Sequence, residues 1–145
     1  MTIHVDDDSF PAAPVGLVAR AVSFALEAEG RPEVEISVAF LSDEEMQRLN
    51  HRFLGKERTT DVLAFALGEG NGPMVGDVYL GYEQAARQAE EVGVPLHEEL
   101  ARLAIHGTLH VLGHDHPEGP GRSESPMFQL QERLLAEVMR DPEAL

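Results

Sequence analysis

Residues 95–113, "PLHEELARLAIHGTLHVLG", have the spacing of a long helix with one face in the core. Pro95 can open this helix, because its missing N–H would have no partner in the first turn. Gly113 can close it in the left-handed conformation, which glycine enters without strain. Residues at helical spacing trace much of an apolar stripe: Leu96, Leu100, Leu103, Ala104, Thr108 and Val111. The stretch therefore predicts an amphipathic helix.

Outside this helix, the sequence alternates between strand and helix patterns. Residues 61–67, "DVLAFAL", form a nearly unbroken apolar run, which favours a strand covered on both faces. The turn "GEGNGPM" leads into the strand "VGDVYLGY", and two strands this close favour an antiparallel hairpin. Ser42 and Glu45 form a capping box at the start of the second helix. The predicted order β-α-β-α-β-β-α-α-α has strands over residues 2–6, 33–42, 61–67 and 75–82 and helices over 13–28, 42–55, 83–93, 95–113 and 125–139.

Length and composition indicate one domain, residues 1–145, of the α/β (α+β) class. No stretch approaches the ~20 apolar residues of a membrane span, and the start "MTIHVDDDSF" lacks the basic and apolar regions of a secretory signal. We therefore expect a cytoplasmic protein that does not contact a membrane. The sequence holds no cysteine, so a transition metal would have to be bound by histidine, aspartate or glutamate.

The charge balance bears on the choice of partners. The formal net charge is -15, whereas surfaces that bind nucleic acid are usually basic. Arg48, Arg52, Lys56 and Arg58 nevertheless fall within eleven residues. This cluster fits either a solvated helix end or a local phosphate-facing patch on an otherwise acidic surface.

Four of the seven histidines lie between positions 106 and 116. His106 and His110 are four residues apart on the predicted helix, so their rings project from one face. A turn at Gly113 allows His116 to approach the same point. Three neutral imidazoles and no thiolate predict a zinc site with an open fourth position for water, the arrangement of catalytic zinc. Such an ion lowers the pKa of bound water to about 7 and polarises a carbonyl or phosphoryl oxygen.

The residues between these histidines narrow the chemistry. The spacing matches the HExxHxxGxxH motif of metzincin proteases, in which the Glu acts as general base. This chain has Gly107 at that position, and glycine cannot accept a proton. The substitution favours a hydrolase whose base lies elsewhere, or whose substrate supplies part of the acid-base chemistry. His114 is an alternative ligand, although its offset from His116 directs it elsewhere, and Asp115 is a candidate to support a ligand imidazole or the turn.

The stretch "HGTLHVLGHDH" resembles the HGxLHLxGyDH signature of the YbeY family, bacterial metal-dependent endoribonucleases of ribosomal RNA maturation. "LNHRFLGKERTTDVLAFAL" is similar to the family's LNxxYRGKDxxTDVLSFP segment, and "VGDVYLGYEQAARQA" to its GDIxISxxxAxxQA segment. "SESPMFQLQERLL" fits the family's closing helix, in which a Met and an aromatic residue precede a Gln-Glu pair. These segments cover most of the chain from Ser42 onward.

The resemblance implies a small, mostly parallel mixed sheet of about four strands with surrounding helices, and a central helix that carries the first two ligands. It implies one Zn²⁺ per chain, held by His106, His110 and His116, although nickel or another divalent metal also suits imidazole. It further implies a cleft for single-stranded RNA, and a role in the 3′-end processing of small-subunit rRNA and in ribosome quality control. The implied partners are rRNA, the small ribosomal subunit and ribosomal proteins; the sequence is silent on oligomeric state.

Two of the differences from the family's segments bear on the chemistry. Leu54 stands where the family usually has Arg, and Ala64 stands where it has Ser. An arginine beside the metal would stabilise charge that develops on phosphate. Lys56 and Arg58 are the candidates to contact phosphate instead, whereas Arg52 would face about 160° away from position 54 on a helix.

Three functional hypotheses follow. The first is a zinc-dependent endoribonuclease, in which either zinc-activated water or the RNA 2′-hydroxyl is the nucleophile. The second is a non-catalytic, zinc-containing ribosome-associated factor, which the acidic charge and Leu54 favour because an acidic chain can dock on basic ribosomal proteins. The third is a metallopeptidase with a displaced base, which Gly107 disfavours.

Overall fold

The strands and helices occur along the chain in the order that the sequence patterns predict. The structure, a computed structural model, describes residues 1–54, 60–68, 74–115 and 125–141. In these ranges the strands are β1 (Thr2–Asp6), β2 (Glu35–Leu41), β3 (Val62–Leu67) and β4 (Val75–Gly81). The helices are α1 (Val15–Ala28), α2 (Asp43–Leu54), α3 (Tyr82–Val92), α4 (Leu96–Val111) and α5 (Pro126–Arg140).

The sheet has the strand order β1-β2-β4-β3. β1 pairs with β2 and β2 with β4 in parallel, whereas β3 and β4 form an antiparallel pair in which Ala64 lies opposite Val78. The predicted hairpin and the predicted small, mostly parallel mixed sheet are therefore confirmed. The α/β (α+β) class is confirmed with them.

Several element ends differ from the predicted bounds by one or two residues. α1 begins at Val15 rather than at residue 13, because a residue that precedes proline, here Ala13, disfavours the helical conformation. Pro95 is the residue before α4, with an extended backbone, and the helix itself begins at Leu96. Gly93 and Gly113, which were predicted to end helices, both have positive φ, of 76° and 99°.

The prediction that residues 61–67 form a strand covered on both faces is wrong. β3 lies at the edge of the sheet, and its last two residues are exposed, with Leu67 46% accessible. Phe65 is covered in part by the rings of Phe53 and Tyr79, whose centroids lie 5.4 Å and 6.1 Å away. An apolar run alone does not distinguish a central strand from an edge strand that gains partial cover from aromatic neighbours.

α4 lies at the centre of the packing, in contact with α1, α3, α5, β3 and β4. One face of the sheet is buried through Ile36, Val38 and Phe40 of β2 and Val78 and Leu80 of β4. These side chains share one hydrophobic cluster with the buried residues of α1, α4 and α5. α4 therefore packs against the sheet and against the other helices, and this packing fixes the directions in which its side chains point. None of the helices in the described ranges combines the length and apolar character needed to cross a lipid bilayer.

The predicted capping box at the start of α2 is confirmed. The Glu45 N–H donates to Ser42 Oγ at 3.2 Å, and the Ser42 N–H donates to Glu45 Oε1 at 3.1 Å. We expect Ser42→Ala to lower the free energy of unfolding by about 1 kcal/mol, which corresponds to about 3 °C in melting temperature. Ser42→Thr keeps the hydroxyl and should melt close to the wild type. Equal melting temperatures for Ser42→Ala and the wild type would show that the cap does not stabilise α2.

Candidate functional site

Two of the predicted ligands meet on one face of α4. His106 and His110 are separated by one helical turn, and their Nε2 atoms lie 3.1 Å apart. The two rings are roughly perpendicular, at 74°, with centroids 4.6 Å apart. His106 is buried, and His110 is partly buried. The spacing of four residues therefore brings two imidazole nitrogens to one point, as the sequence predicts.

The third predicted ligand lies outside the described residues. His116 follows Asp115, where the described range ends, and Lys56 and Arg58 also fall outside the described ranges. The turn that would lead to His116 is present, because the Gly113 N–H donates to His110 O at 3.0 Å and the His114 N–H to Leu109 O. The roles assigned to His116, Lys56 and Arg58 stay predictions.

A series of hydrogen-bonded side chains connects α5 to His106 Nδ1. Gln131, which is itself buried, places its Oε1 2.6 Å from His106 Nδ1. Gln131 Nε2 donates to Glu132 Oε2 at 3.0 Å. Arg102 Nε donates to the same Glu132 oxygen at 3.0 Å, and a second Arg102 nitrogen lies 3.3 Å from Glu132 Oε1. Arg102, His106 and Gln131 thus belong to one continuous network between α4 and α5.

The Arg102 guanidinium is also bonded to Glu99, at 2.7 Å. Burial acts to lower the pKa of Arg102, but hydrogen bonds to Glu132 and Glu99 outweigh it and raise that pKa above its ordinary value. Arg102 therefore keeps its charge, and so holds the Glu132 carboxylate by two N–H donors. The roles of Gln131 and Arg102 were not predicted from the sequence. The available signal was the Gln-Glu pair at 131 and 132 in the closing segment.

His114 lies apart from this network. His114 Nε2 contacts Glu29 Oε1, next to the end of α1, so its ring is directed toward α1. This contact agrees with the expectation that its offset directs His114 away from the other histidines. Asp115 is exposed, and its supporting role stays a prediction.

Gly107 faces the sheet rather than the histidines. A Cβ at this position would lie 2.6 Å from Val78 Cγ1 and 3.2 Å from Val62 Cγ2, well inside van der Waals contact. A longer side chain on this backbone would therefore run into the hydrophobic core. An acidic residue at position 107 could therefore not act as a base for the histidine pair. The metallopeptidase hypothesis is disfavoured both by the missing carboxylate and by this packing.

The chain is similar to one protein family over most of its length. The family described as Endoribonuclease YbeY matches residues 5–139. The chain belongs to the YbeY family. This membership supports a hydrolase that acts on RNA.

YbeY proteins of several bacteria are similar over most of the chain. Endoribonuclease YbeY of Geobacter sulfurreducens is 39% identical over 121 residues, which cover 80% of each chain. The protein of the same name from Aquifex aeolicus is 40% identical over 118 residues, covering 80% of this chain and 78% of that one. That of Oceanobacillus iheyensis is 36% identical and covers 92% of this chain and 94% of its own.

A solved structure supports the same YbeY fold. The solution structure of a protein from Thermotoga maritima matches with a TM-score of 0.62 and 27% identity. The match covers 98% of this chain and 95% of the other. The arrangement of sheet and helices is therefore shared over nearly the whole length.

Two of the residues that differ from the YbeY segments lie in β3 and at the end of α2. Ala64, in place of the usual Ser, pairs with Val78 and packs half-buried against the core. Leu54 is the last residue of α2, and its side chain is outside the described part of the structure. Arg52 is exposed, with its guanidinium carbon 5.3 Å from the centre of the Phe53 ring. The Arg52 guanidinium therefore lies beside the Phe53 ring.

Proposed function

We propose that this chain is a metal-dependent endoribonuclease that cleaves single-stranded RNA. The observation that carries the proposal is the meeting of His106 Nε2 and His110 Nε2 at 3.1 Å, in a chain of the YbeY endoribonuclease family. His106, His110 and His116 would hold one zinc ion. When bound, zinc supplies Lewis-acid chemistry: it polarises a phosphoryl oxygen and lowers the pKa of a coordinated water.

The donor set fits a zinc ion. For Zn–N distances of about 2.0–2.1 Å and tetrahedral angles, two ligand nitrogens lie about 3.3–3.4 Å apart. The 3.1 Å between the two Nε2 atoms is close to this value. Neutral imidazoles suit zinc and also nickel, so the donor set supports a divalent metal of this group.

The chain's own residues account for the absence of a protease-type base. Gly107 packs against Val78, so no acidic side chain from that position reaches the histidine pair. In RNA, the 2′-hydroxyl next to the scissile phosphate can act as the nucleophile, which reduces the need for a protein base. Products that end in a 2′,3′-cyclic phosphate would indicate this route, and products without it would indicate attack by water.

The proposed biological substrate is ribosomal RNA. The family resemblance supports 3′-end processing of small-subunit rRNA and ribosome quality control in the cytoplasm, with the small subunit and its proteins as partners. The charge of -15 fits docking on basic ribosomal proteins, with RNA contacted over a restricted patch. Lys56 and Arg58 are the proposed phosphate contacts in that patch.

Metal removal tests the proposed activity. We expect the purified chain to cleave a single-stranded oligoribonucleotide and to spare the matched duplex. Treatment with a chelator should reduce the cleavage rate by at least about 20-fold, and added Zn²⁺ or Ni²⁺ should restore it, because metal chemistry contributes several kcal/mol to such reactions. Cleavage that is unaffected by the chelator would contradict the proposal.

The charge of -15 favours one alternative, a non-catalytic ribosome-associated factor in which the metal stabilises a docking surface. This alternative predicts that the chain co-sediments with small ribosomal subunits, in a metal-dependent manner, without cleaving RNA. Cleavage that requires the histidines would exclude it.

A further inference from the structure

Gln131 makes the contact that governs which nitrogen of His106 carries the proton. Both side chains are buried, at 4% and 7% exposure, and Gln131 Oε1 lies 2.6 Å from His106 Nδ1. A buried pair at this distance is a hydrogen bond, so one of the two atoms must donate. The direction of that bond depends on which atom of the Gln131 amide faces the ring.

Glu132 fixes the orientation of the amide. The other end of the Gln131 amide lies 3.0 Å from Glu132 Oε2. Both Glu132 oxygens accept hydrogen bonds from Arg102, so the carboxylate acts as an acceptor; the amide NH₂ therefore points to Glu132 and the amide oxygen to His106. The Glu132 carboxylate in turn accepts from two N–H groups of Arg102.

The amide oxygen can only accept, so the proton lies on His106 Nδ1. In the neutral ring, Nε2 then carries the lone pair, and this is the atom that lies 3.1 Å from His110 Nε2. A metal ligand must offer a lone pair, and the partner of the second ring nitrogen sets which one is offered. A ring in the other tautomer would place a proton at the shared point.

We propose that Gln131, oriented by Glu132 and Arg102, is a positioning residue for His106 that holds its Nε2 ready to bind metal. The proposal rests on the proposed metal site. Gln131 does not contact the metal or the substrate; it acts through the tautomer and ring orientation of His106. The network spans α4 and α5, so the position of α5 contributes to metal affinity.

Two substitutions separate the hydrogen bond from packing. Gln131→Met has similar shape and no acceptor oxygen of this kind, whereas Gln131→Glu keeps an oxygen that can accept from Nδ1–H. Val138→Ala is the matched control, since Val138 is fully buried on the same helix, seven residues further along. Seven residues correspond to about 10 Å of helix. This variant loses stability without touching the network.

Two measurements on the full chain test the proposal. Long-range ¹H–¹⁵N spectra of chelator-treated protein report which nitrogen of His106 is protonated, and competition with a chromogenic chelator gives the affinity for Zn²⁺ alone. We expect protonation at Nδ1 in the wild type and in the Gln131→Glu and Val138→Ala variants, and partial or complete transfer to Nε2 in Gln131→Met. Zinc affinity should fall by about 10–100-fold in Gln131→Met and stay within about threefold of the wild type in Val138→Ala. Gln131→Glu keeps the acceptor for Nδ1–H but loses the donor to Glu132, so its zinc affinity should lie between those two.

The outcomes separate this proposal from the proposed function. If zinc binds tightly and Gln131→Met changes neither the tautomer nor the affinity, the positioning role is wrong and the metal site stands. If the wild type binds no zinc while the tautomer responds as expected, the metal function fails although Gln131 still orients His106. Equal loss of affinity in Gln131→Met, Gln131→Glu and Val138→Ala would reduce the role to packing and overturn the proposal.

Discussion

His110→Ala is expected to lower the cleavage of single-stranded RNA by at least about 100-fold, which corresponds to about 2.7 kcal/mol of transition-state free energy. The substitution removes one of the two imidazole nitrogens that meet at 3.1 Å, and leaves at most two histidine ligands of the proposed three. A zinc ion with one ligand fewer is bound more weakly and is oriented less well toward phosphate. The initial rate on a labelled oligoribonucleotide, measured at saturating Zn²⁺, provides the test.

The matched control for this experiment is His97→Ala. His97 lies on the same helix, thirteen residues earlier, which corresponds to about 20 Å along the helix axis. We expect its cleavage rate to remain within about twofold of the wild type, because distant sites act independently. Circular dichroism should show the wild-type helix content in both variants. Equal activity of the wild type and His110→Ala would identify a contaminating nuclease and remove the assignment.

Gly107→Glu is expected to destabilise the domain by at least about 4 kcal/mol, enough to prevent its recovery in folded form. The added side chain would start 2.6 Å from Val78 Cγ1, in a region where Val78 is fully buried. A carboxylate at this place would have no solvent and would displace core side chains. Gly107→Ala should lower the free energy of unfolding by about 1–3 kcal/mol, even though alanine favours helices. Urea unfolding monitored by circular dichroism gives the value for Gly107→Ala, and the yield of folded protein tests Gly107→Glu.

Gly16→Ala is the control for the helix-propensity contribution. A Cβ at Gly16, in α1, would meet no atom within 4 Å. This variant should be as stable as the wild type or more stable by up to about 1 kcal/mol. If Gly107→Ala proves as stable as Gly16→Ala, the close approach of α4 to β4 does not constrain position 107. The structural reason for a glycine beside the first histidine would then be lost.

The features that the sequence predicts are those that depend on local spacing. The capping box of Ser42 and Glu45 and the positive φ of Gly113 involve residues within one or two turns of each other. The meeting of His106 and His110 is also local, because an interval of four residues on any α-helix places two side chains on one face. A single sequence contains enough information for contacts of this kind.

The features that were missed depend on contacts between distant elements. Gln131 is 25 residues from His106, and its role emerges only when α5 packs beside α4. His114 meets Glu29 across 85 residues, and the place of β3 at the sheet edge depends on which strand pairs with β4. The absence of a base at position 107 was evident from the sequence. The physical cause of this absence is the close packing of Gly107 against Val78. This packing could not be predicted from the sequence, because it depends on how α4 is placed on the sheet.

The metal content of the chain, purified without chelators, tests the central claim most directly. We predict about one zinc or nickel ion per wild-type chain, the same content in His97→Ala, and less than about a tenth of that in a variant with both His106→Ala and His110→Ala. A wild-type content below about half a metal ion per chain, or equal content in the wild type and the double variant, would contradict the three-histidine metal site.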